Sequence, residues 1–424
     1  MMRITVGCSD KQGTSVIQRQ MERVCLWLNL LLAFSLPLST SAVSVTACLI
    51  LLCWMLEGRY AEKLREIGAS PLGLAVLVYA VVLILGLCWT ESLRDGLAVI
   101  CKQWKVLVAP LLLTTIRWEW RQRYVTAFIA GVTATMFAVS LDHFGLLQRG
   151  LSHDQLFFHT ATVQLQYTPM LALAVYLLAH QILWGRSNGW RWWNLLALTS
   201  LLTIHLFTTM GRAGYCAFFA LMIVLLLQYY RENMLKACLI AAVLLPLVFM
   251  TAYRLSPVFQ GRMDAVVENL RTFRDNPNTS VGLRLHYWTI SWEIIKRSPW
   301  IGVGTGEFAS TYSAMNASMS PNVPLTDNPH NQYIFLTAQL GVLGLLSLLG
   351  LFFIHFRQAV RVMDGWQRIR IAFPIFFMVI MCLESYLNLV GTGFLFSLMS
   401  AILFKEPRPL EPCSQGKVPA QSQC

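Results

Sequence analysis

The stretch Thr326-Asp-Asn-Pro-His330-Asn-Gln-Tyr-Ile-Phe-Leu-Thr-Ala-Gln-Leu-Gly341 marks where the longest polar segment of the chain meets an apolar span. Upstream of it, residues 254–329 carry seven Lys/Arg and six Asp/Glu. On either side the sequence is a series of apolar blocks of about 16–26 residues, near the ~20 that cross a bilayer as helix. The whole chain is 56% hydrophobic and 13% charged, with a mean hydropathy of +0.55. A soluble chain of 424 residues has a polar surface to cover and rarely reads this way. Lipid offers backbone groups no hydrogen-bond partner, so each block should be helical. The fold class is therefore an all-α polytopic membrane protein with one large, partly helical extramembrane loop.

Twelve spans are expected, at about 24–39, 41–56, 71–89, 95–116, 124–141, 167–184, 192–209, 213–230, 235–253, 330–355, 369–389 and 391–404. Residues 1–253 then hold nine spans with short loops. Residues 254–329 form the large loop, 330–404 hold three more spans, and 405–424 form a tail. With twelve spans both termini share a side. One set of connections carries 21 Lys/Arg, while the short connections of the other set carry 3. By the positive-inside rule the termini are cytoplasmic and the long loop faces outward. The formal charge of +12 is explained by this bias, and nucleic acid is not an expected partner. Eleven cysteines avoid the long loop, which argues against a disulfide framework there.

Within the loop, 258–275 and 281–298 read as helices. The second is amphipathic, and its tryptophans suit a helix lying in the interface. Gly302-Val-Gly-Thr-Gly306 reads as a tight, flexible turn. Residues 311–329 read as an irregular Ser/Asn/Pro-rich run.

A few residues carry usable chemistry. Arg212 stands at the mouth of two spans, in Thr208-Thr-Met-Gly-Arg-Ala-Gly214. It either snorkels to the interface or binds an anion, with its flanking glycines letting a ligand approach closely. Arg284 lies on the second loop helix. It is either a solvated surface arginine or a phosphate ligand, since the guanidinium fork gives paired hydrogen bonds. His330 follows a proline at the start of a span. It is either a capping residue or a base, since imidazole titrates near neutral pH. Apart from Asp95 at the first position of the fourth span, Glu384 is the one acidic residue inside the expected spans, and it needs a partner there, for example Arg212. Lys102 and Lys105 are cations set several residues into a span. His143, His153, Asp154 and His159 form a loose group with unspecific metal spacing. The chain has no Asp-x-Asp, no P-loop and no Gly-x-Ser-x-Gly, so metal-dependent transfer, ATP hydrolysis and serine hydrolysis find no motif. No cofactor is expected.

His330-Asn331, nine residues, then Gly341-Val-Leu-Gly344 resembles the His-[Asn/Ser/Gln]-x9-Gly-x-x-[Gly/Thr/Tyr] signature of the O-antigen ligase family. Asn328-Pro-His-Asn-Gln-Tyr-Ile334, Gly282-Leu-Arg284, Lys296-Arg-Ser-Pro299, Gly302-Val-Gly-Thr-Gly306 and Gly211-Arg212 also resemble family motifs, in family order. The resemblance implies a GT-C-like glycosyltransferase in the bacterial inner membrane, with its site facing the periplasm. Its donor would be undecaprenyl diphosphate-linked O-antigen and its acceptor a hydroxyl of lipid A–core oligosaccharide. Arg212 and Arg284 would hold the diphosphate and His330 would activate the acceptor. Glu384 would orient an arginine or the site, with Lys105, Arg149 and Asn331 as supporting substrate contacts. The same motifs fit an O-antigen polymerase or a protein O-oligosaccharyltransferase. A lipid-linked oligosaccharide flippase is the alternative from another class, and it would place its charges along a central cavity instead of at one mouth.

Overall fold

A computed structural model of the chain describes residues 16–143, 161–185, 188–273 and 278–406. Every regular element in these residues is helical. In order they are α1 (Val16–Ser35), α2 (Thr40–Glu57), α3 (Tyr60–Ala69), α4 (Pro71–Leu85), α5 (Leu93–Lys102), α6 (Trp104–Leu107), α7 (Ala109–Thr115), α8 (Arg121–His143) and α9 (Ala161–Trp184). They continue as α10 (Trp190–Thr208), α11 (Arg212–Tyr229), α12 (Met234–Leu255), α13 (Pro257–Arg271), α14 (Gly282–Arg297), α15 (Phe308–Met319), α16 (Gln332–Arg361), α17 (Gln367–Ile380) and α18 (Val390–Phe404).

By length and composition, seven helices among the described residues can cross a bilayer. An eighth span is made if α5 and the α6–α7 segment, bent by 46° at their junction, count as one. This is fewer than the twelve expected, for visible reasons. The first turns of α1 and α10 are loaded with polar residues and tryptophan. Helices α17 and α18 have 14 and 15 residues, short of the ~20 a full crossing needs. The connection 57–70 also departs from expectation. It folds into α3, whose Lys63 is buried, donating to the Trp54 carbonyl and pairing with Glu57.

The core of the bundle lies around α18, which is buried along its length from Gly391 to Phe404. Phe373, Phe376 and Phe377 of α17 pack with Phe396 of α18 and Phe352 of α16 around it. A helix apolar on every face needs neighbours on every face or lipid. The first holds for α18, and the second fits α12, which is almost entirely exposed.

The long loop is a folded unit. Tyr287, Ile290 and Ile294 of α14 pack with Phe308, Tyr312 and Met315 of α15 and with Phe335 of α16. Helix α15 falls in the run expected to be irregular. Its Ser/Thr/Asn content hides an apolar set at 308, 312 and 315, the spacing of one helical face, and that face is buried. The Gly302–Gly306 segment is likewise no flexible turn. It is strapped down by Val303 N–H to the Ala338 carbonyl, Gly304 N–H to the Gln339 carbonyl and Thr305 N–H to the Gly86 carbonyl. Its dock on α16 exists because α16 breaks at Gly341 (φ +60°, ψ −155°), a backbone region open to glycine. A Cβ at Gly341 would lie 2.2 Å from the Trp300 carbonyl carbon. The strap is pinned on its far side by Glu307, which accepts from Thr90 Oγ1 (2.9 Å), Ser92 N–H (2.5 Å) and Ser310 Oγ (2.7 Å).

Candidate functional site

Three helices enclose a cavity of about 680 Å³, and each presents the same pattern to it. From α11 come Arg212, Tyr215, Cys216 and Phe219. From α13 come Phe259, Arg262, Met263 and Val266. The start of α14 contributes Val281, Arg284, Leu285 and Trp288. The spacing is i, i+3, i+4, i+7 each time, which is one face of a helix. Each stripe is apolar except for a single arginine, so three guanidiniums share a cavity walled by aromatic and aliphatic side chains. They lie close enough that Arg212 feels the charges of both Arg284 and Arg262. None of the three forms an ion pair with a described residue. Arg212 Nη2 donates to Ser280 Oγ (2.6 Å) and Arg262 Nη2 contacts Met210 Sδ (2.8 Å). A cluster of arginines without carboxylate partners among the described residues, in an apolar setting, has the chemistry to hold an anion.

The glycines beside Arg212 are explained by helix packing. A Cβ at Gly211 would lie 2.1 Å from Thr168 Oγ1, and one at Gly214 would lie 2.7 Å from the Thr168 Cβ. They let α11 close on α9, which fixes where Arg212 begins its helix. Gly211 also lines the cavity, directly beside Arg212.

The second part of the site is the segment between α15 and α16. His330 Nδ1 donates to Glu384 Oε2 across 2.5 Å. Glu384 is buried, and its Oε1 accepts from Asn328 Nδ2 (2.7 Å) and Ser385 N–H (2.8 Å). Asn328 Oδ1 accepts from His330 N–H (3.0 Å) and Ser385 Oγ (2.7 Å). The result is a closed network with the carboxylate saturated and the imidazole fixed by one nitrogen. Its Nε2 makes no hydrogen bond to a described residue. His330 adopts φ +55°, strained for a residue with a Cβ. The strain is held by the Asn328 turn before it and the helix cap after it.

Helix α14 joins the two parts. Arg284 and Trp288, one turn apart, face the cavity. Trp288 Nε1 donates to the Pro329 carbonyl (2.8 Å), and the Tyr287 ring stacks on His330 at 6.0 Å. Trp288 is thus seated against the histidine loop and is not an interface anchor, whereas Trp292 is exposed. From the other side Leu383, next to Glu384, also lines the cavity.

The sequence offered Arg212 as a partner for Glu384, and the fold gives Glu384 to His330 instead. The chain between α17 and α18 runs as non-helical backbone and is bonded edge-on to the start of α16, with Gln332 N–H to the Met381 carbonyl and Asn331 Nδ2 to the Cys382 carbonyl. Asn331 itself spends its Oδ1 on the N–H groups of Tyr333 and Ile334. It is the N-cap of α16, with no donor or acceptor directed into the cavity. Lys105 is also away from the cavity: it is buried and donates to the Asn388 carbonyl, which ties down the far end of the same segment. Lys102 is exposed. Arg149 lies outside the described residues, as do His153, Asp154 and His159. Arg262 and Asn328 were not singled out from sequence. The signal for Arg262 was present: an arginine inside an otherwise apolar helical stripe of a mixed helix.

Residues 197–349 match the family model described as O-Antigen ligase. The matched span contains Arg212, Arg262, Arg284, His330, Gly341 and Gly344. No curated protein matches the chain. Lipid-linked polysaccharides are the general substrates of this family, whose members act as transferases of the ligase or polymerase type. The match over residues 197–349, on an all-helical chain with helices long and apolar enough to span a membrane, supports an O-antigen ligase/polymerase family member.

Proposed function

We propose that the protein is an O-antigen ligase. It transfers O-antigen polysaccharide from undecaprenyl diphosphate to a hydroxyl of lipid A–core oligosaccharide, at the periplasmic face of a bacterial inner membrane. The observation that carries this reading is the pairing of an arginine-lined, apolar-walled cavity with an adjacent His330–Glu384 couple. The cavity suits a lipid diphosphate, with its phosphates on Arg212 and Arg284 and its hydrocarbon along Phe219, Phe249 and Val266. Both termini are cytoplasmic in this reading, and twelve apolar segments, several of them short or bent, embed a GT-C-like enzyme.

The acceptor hydroxyl oxygen attacks the anomeric carbon. The bond from that carbon to the phosphate oxygen breaks, and its electron pair leaves with the diphosphate. The hydroxyl proton passes to His330 Nε2. Glu384 holds the Nδ1–H and stabilises the imidazolium that forms, as a buried carboxylate does in other histidine-based sites. The arginines stabilise the departing charge. The glycosyl diphosphate stores the free energy of transfer, so ATP has no role. Holding both substrates in one membrane plane supplies much of the remaining advantage.

The test is reconstitution of purified protein with undecaprenyl diphosphate-linked O-antigen and lipid A–core, without ATP, with and without chelator. Capped lipopolysaccharide on a gel, lost by about 100- to 10,000-fold in His330→Ala, is the expected result. Elongation of the lipid-linked glycan in place of capping would make the protein a polymerase. Full activity of a membrane-inserted His330→Ala variant would remove the histidine from the chemistry.

A further inference from the structure

Two arginines match the two negative charges of a sugar–diphosphate–lipid, yet the cavity holds three. The third, Arg262, sits on α13 between Phe259 and Val266, and no sequence motif marks it. The acids nearest in sequence on its own helix do not neutralise it. Asp264 accepts from Tyr253 OH on α12 (2.6 Å), and Glu268 lies on the exposed side of the helix. Its one hydrogen-bond partner among the described residues is the thioether of Met210, a weak acceptor. Arg212, by contrast, is held by the Ser280 hydroxyl. Arg262 therefore keeps nearly all of its donor capacity, and leaving its partner costs little.

The charge count of the reaction gives this surplus a use. The bound donor is a diphosphate diester with one negative charge on each phosphate. When the bond from the anomeric carbon to oxygen breaks, the terminal phosphate takes the electron pair and becomes a monoester with a second charge. The proton released by the acceptor goes to His330. The leaving group thus rises from two negative charges to three while the site around it is fixed. A third guanidinium is matched to the transition state and the product, not to the bound donor, and only such differential binding accelerates a step. Resting on the ligase reading above, we propose that Arg262 is a catalytic residue that takes up the charge developing on the leaving polyprenyl diphosphate.

The test uses the full-length protein in nanodiscs with Arg262→Ala, Arg262→Lys and Arg284→Ala. Two quantities are read: steady-state transfer, and binding of undecaprenyl diphosphate against undecaprenyl phosphate. Arg262→Ala is expected to lower kcat by about 10- to 1,000-fold with KM for the donor nearly unchanged. It should also weaken undecaprenyl diphosphate binding at least tenfold while sparing the monophosphate, and Arg262→Lys should recover part of both. Wild-type kcat and diphosphate affinity in Arg262→Ala would overturn the proposal, as would a rise in KM at unchanged kcat. In either case a defective Arg284→Ala would leave the ligase reading standing. Absence of transfer by the wild-type protein would instead sink the ligase reading, and unchanged diphosphate binding in Arg262→Ala would still overturn the role of Arg262. A normal melting curve for each variant separates these outcomes from misfolding.

Discussion

His330 and Glu384 lie 54 residues apart and share a 2.5 Å hydrogen bond, with the histidine side chain 34% exposed and the carboxylate 3%. The exposed member is the one that can meet a substrate. The buried member fixes its orientation and its tautomer, because a carboxylate accepting at Nδ1 requires the proton there. Replacing Glu384 by Gln keeps the shape and removes the charge. Transfer is expected to fall by about 100- to 10,000-fold, with protein level and donor binding close to wild type. Parallel kinetics of Glu384→Gln and His330→Gln check this, and the double variant should be no worse than the weaker single. Additive losses would show that the two do not act as one unit.

The break at Gly341 is expected to tolerate no side chain. Gly341→Ala meets both a positive φ, a penalty of about 1–3 kcal/mol, and a Cβ contact of 2.2 Å with the backbone at Trp300. Backbone cannot swing aside, so the strap at Gly302–Gly306 must leave its dock. Loss of monodisperse protein in detergent, or a clearly lowered melting temperature, is the expected outcome. Gly350→Ala, where a Cβ meets nothing within 4 Å, is the control and should be silent.

Close packing of α11 on α9 sets the position of Arg212. Gly211→Ala drives a methyl group into Thr168 and should reduce transfer by displacing the arginine. Adding Thr168→Gly removes the hydroxyl, the methyl and the Cβ that the new methyl group would meet, and should restore part of the activity. A double variant as impaired as Gly211→Ala alone would refute the packing explanation.

The strap should be acid-labile. Burial pushes the Glu307 carboxyl up, but hydrogen bonds from Ser310, the Ser92 N–H and Thr90 outweigh it and hold Glu307 below the usual glutamate range. A folded-state value below the unfolded one gives stability that is present above about pH 4.3 and lost as pH falls through the folded value. The melting temperature of wild type should decline across that acid window. Glu307→Gln should start lower, by about 1–3 kcal/mol for a buried group left poorly paired, and show a flatter acid limb. Equal slopes in the two proteins would exclude Glu307 as the titrating group.

Much was legible in the chain because helical periodicity and lipid are strong constraints. The apolar blocks gave helices close to where they are found, and 258–275 and 281–298 correspond to α13 and α14. Arg212 and His330 stood out as polar residues at span mouths, and Arg284, on a loop helix, stood out through its place in a family-like motif. What could not be read were the polar helix α15, whose three buried aromatic and methionine positions are diluted by serine, and the short, bent character of several spans.

The sequence by itself determined that this chain is helical, membrane-embedded and built around one elaborated loop, since hydropathy and local spacing act over a few turns. Only tertiary structure decided that Glu384 serves His330 and not an arginine, that Lys105 ties down Asn388, and that Arg262 joins Arg212 and Arg284. Those choices depend on which backbone segments lie edge to edge after packing. Partners 22, 50, 54 and 72 residues apart in sequence are brought within reach by helix faces, and side-chain type alone does not specify which of several possible charges they will meet.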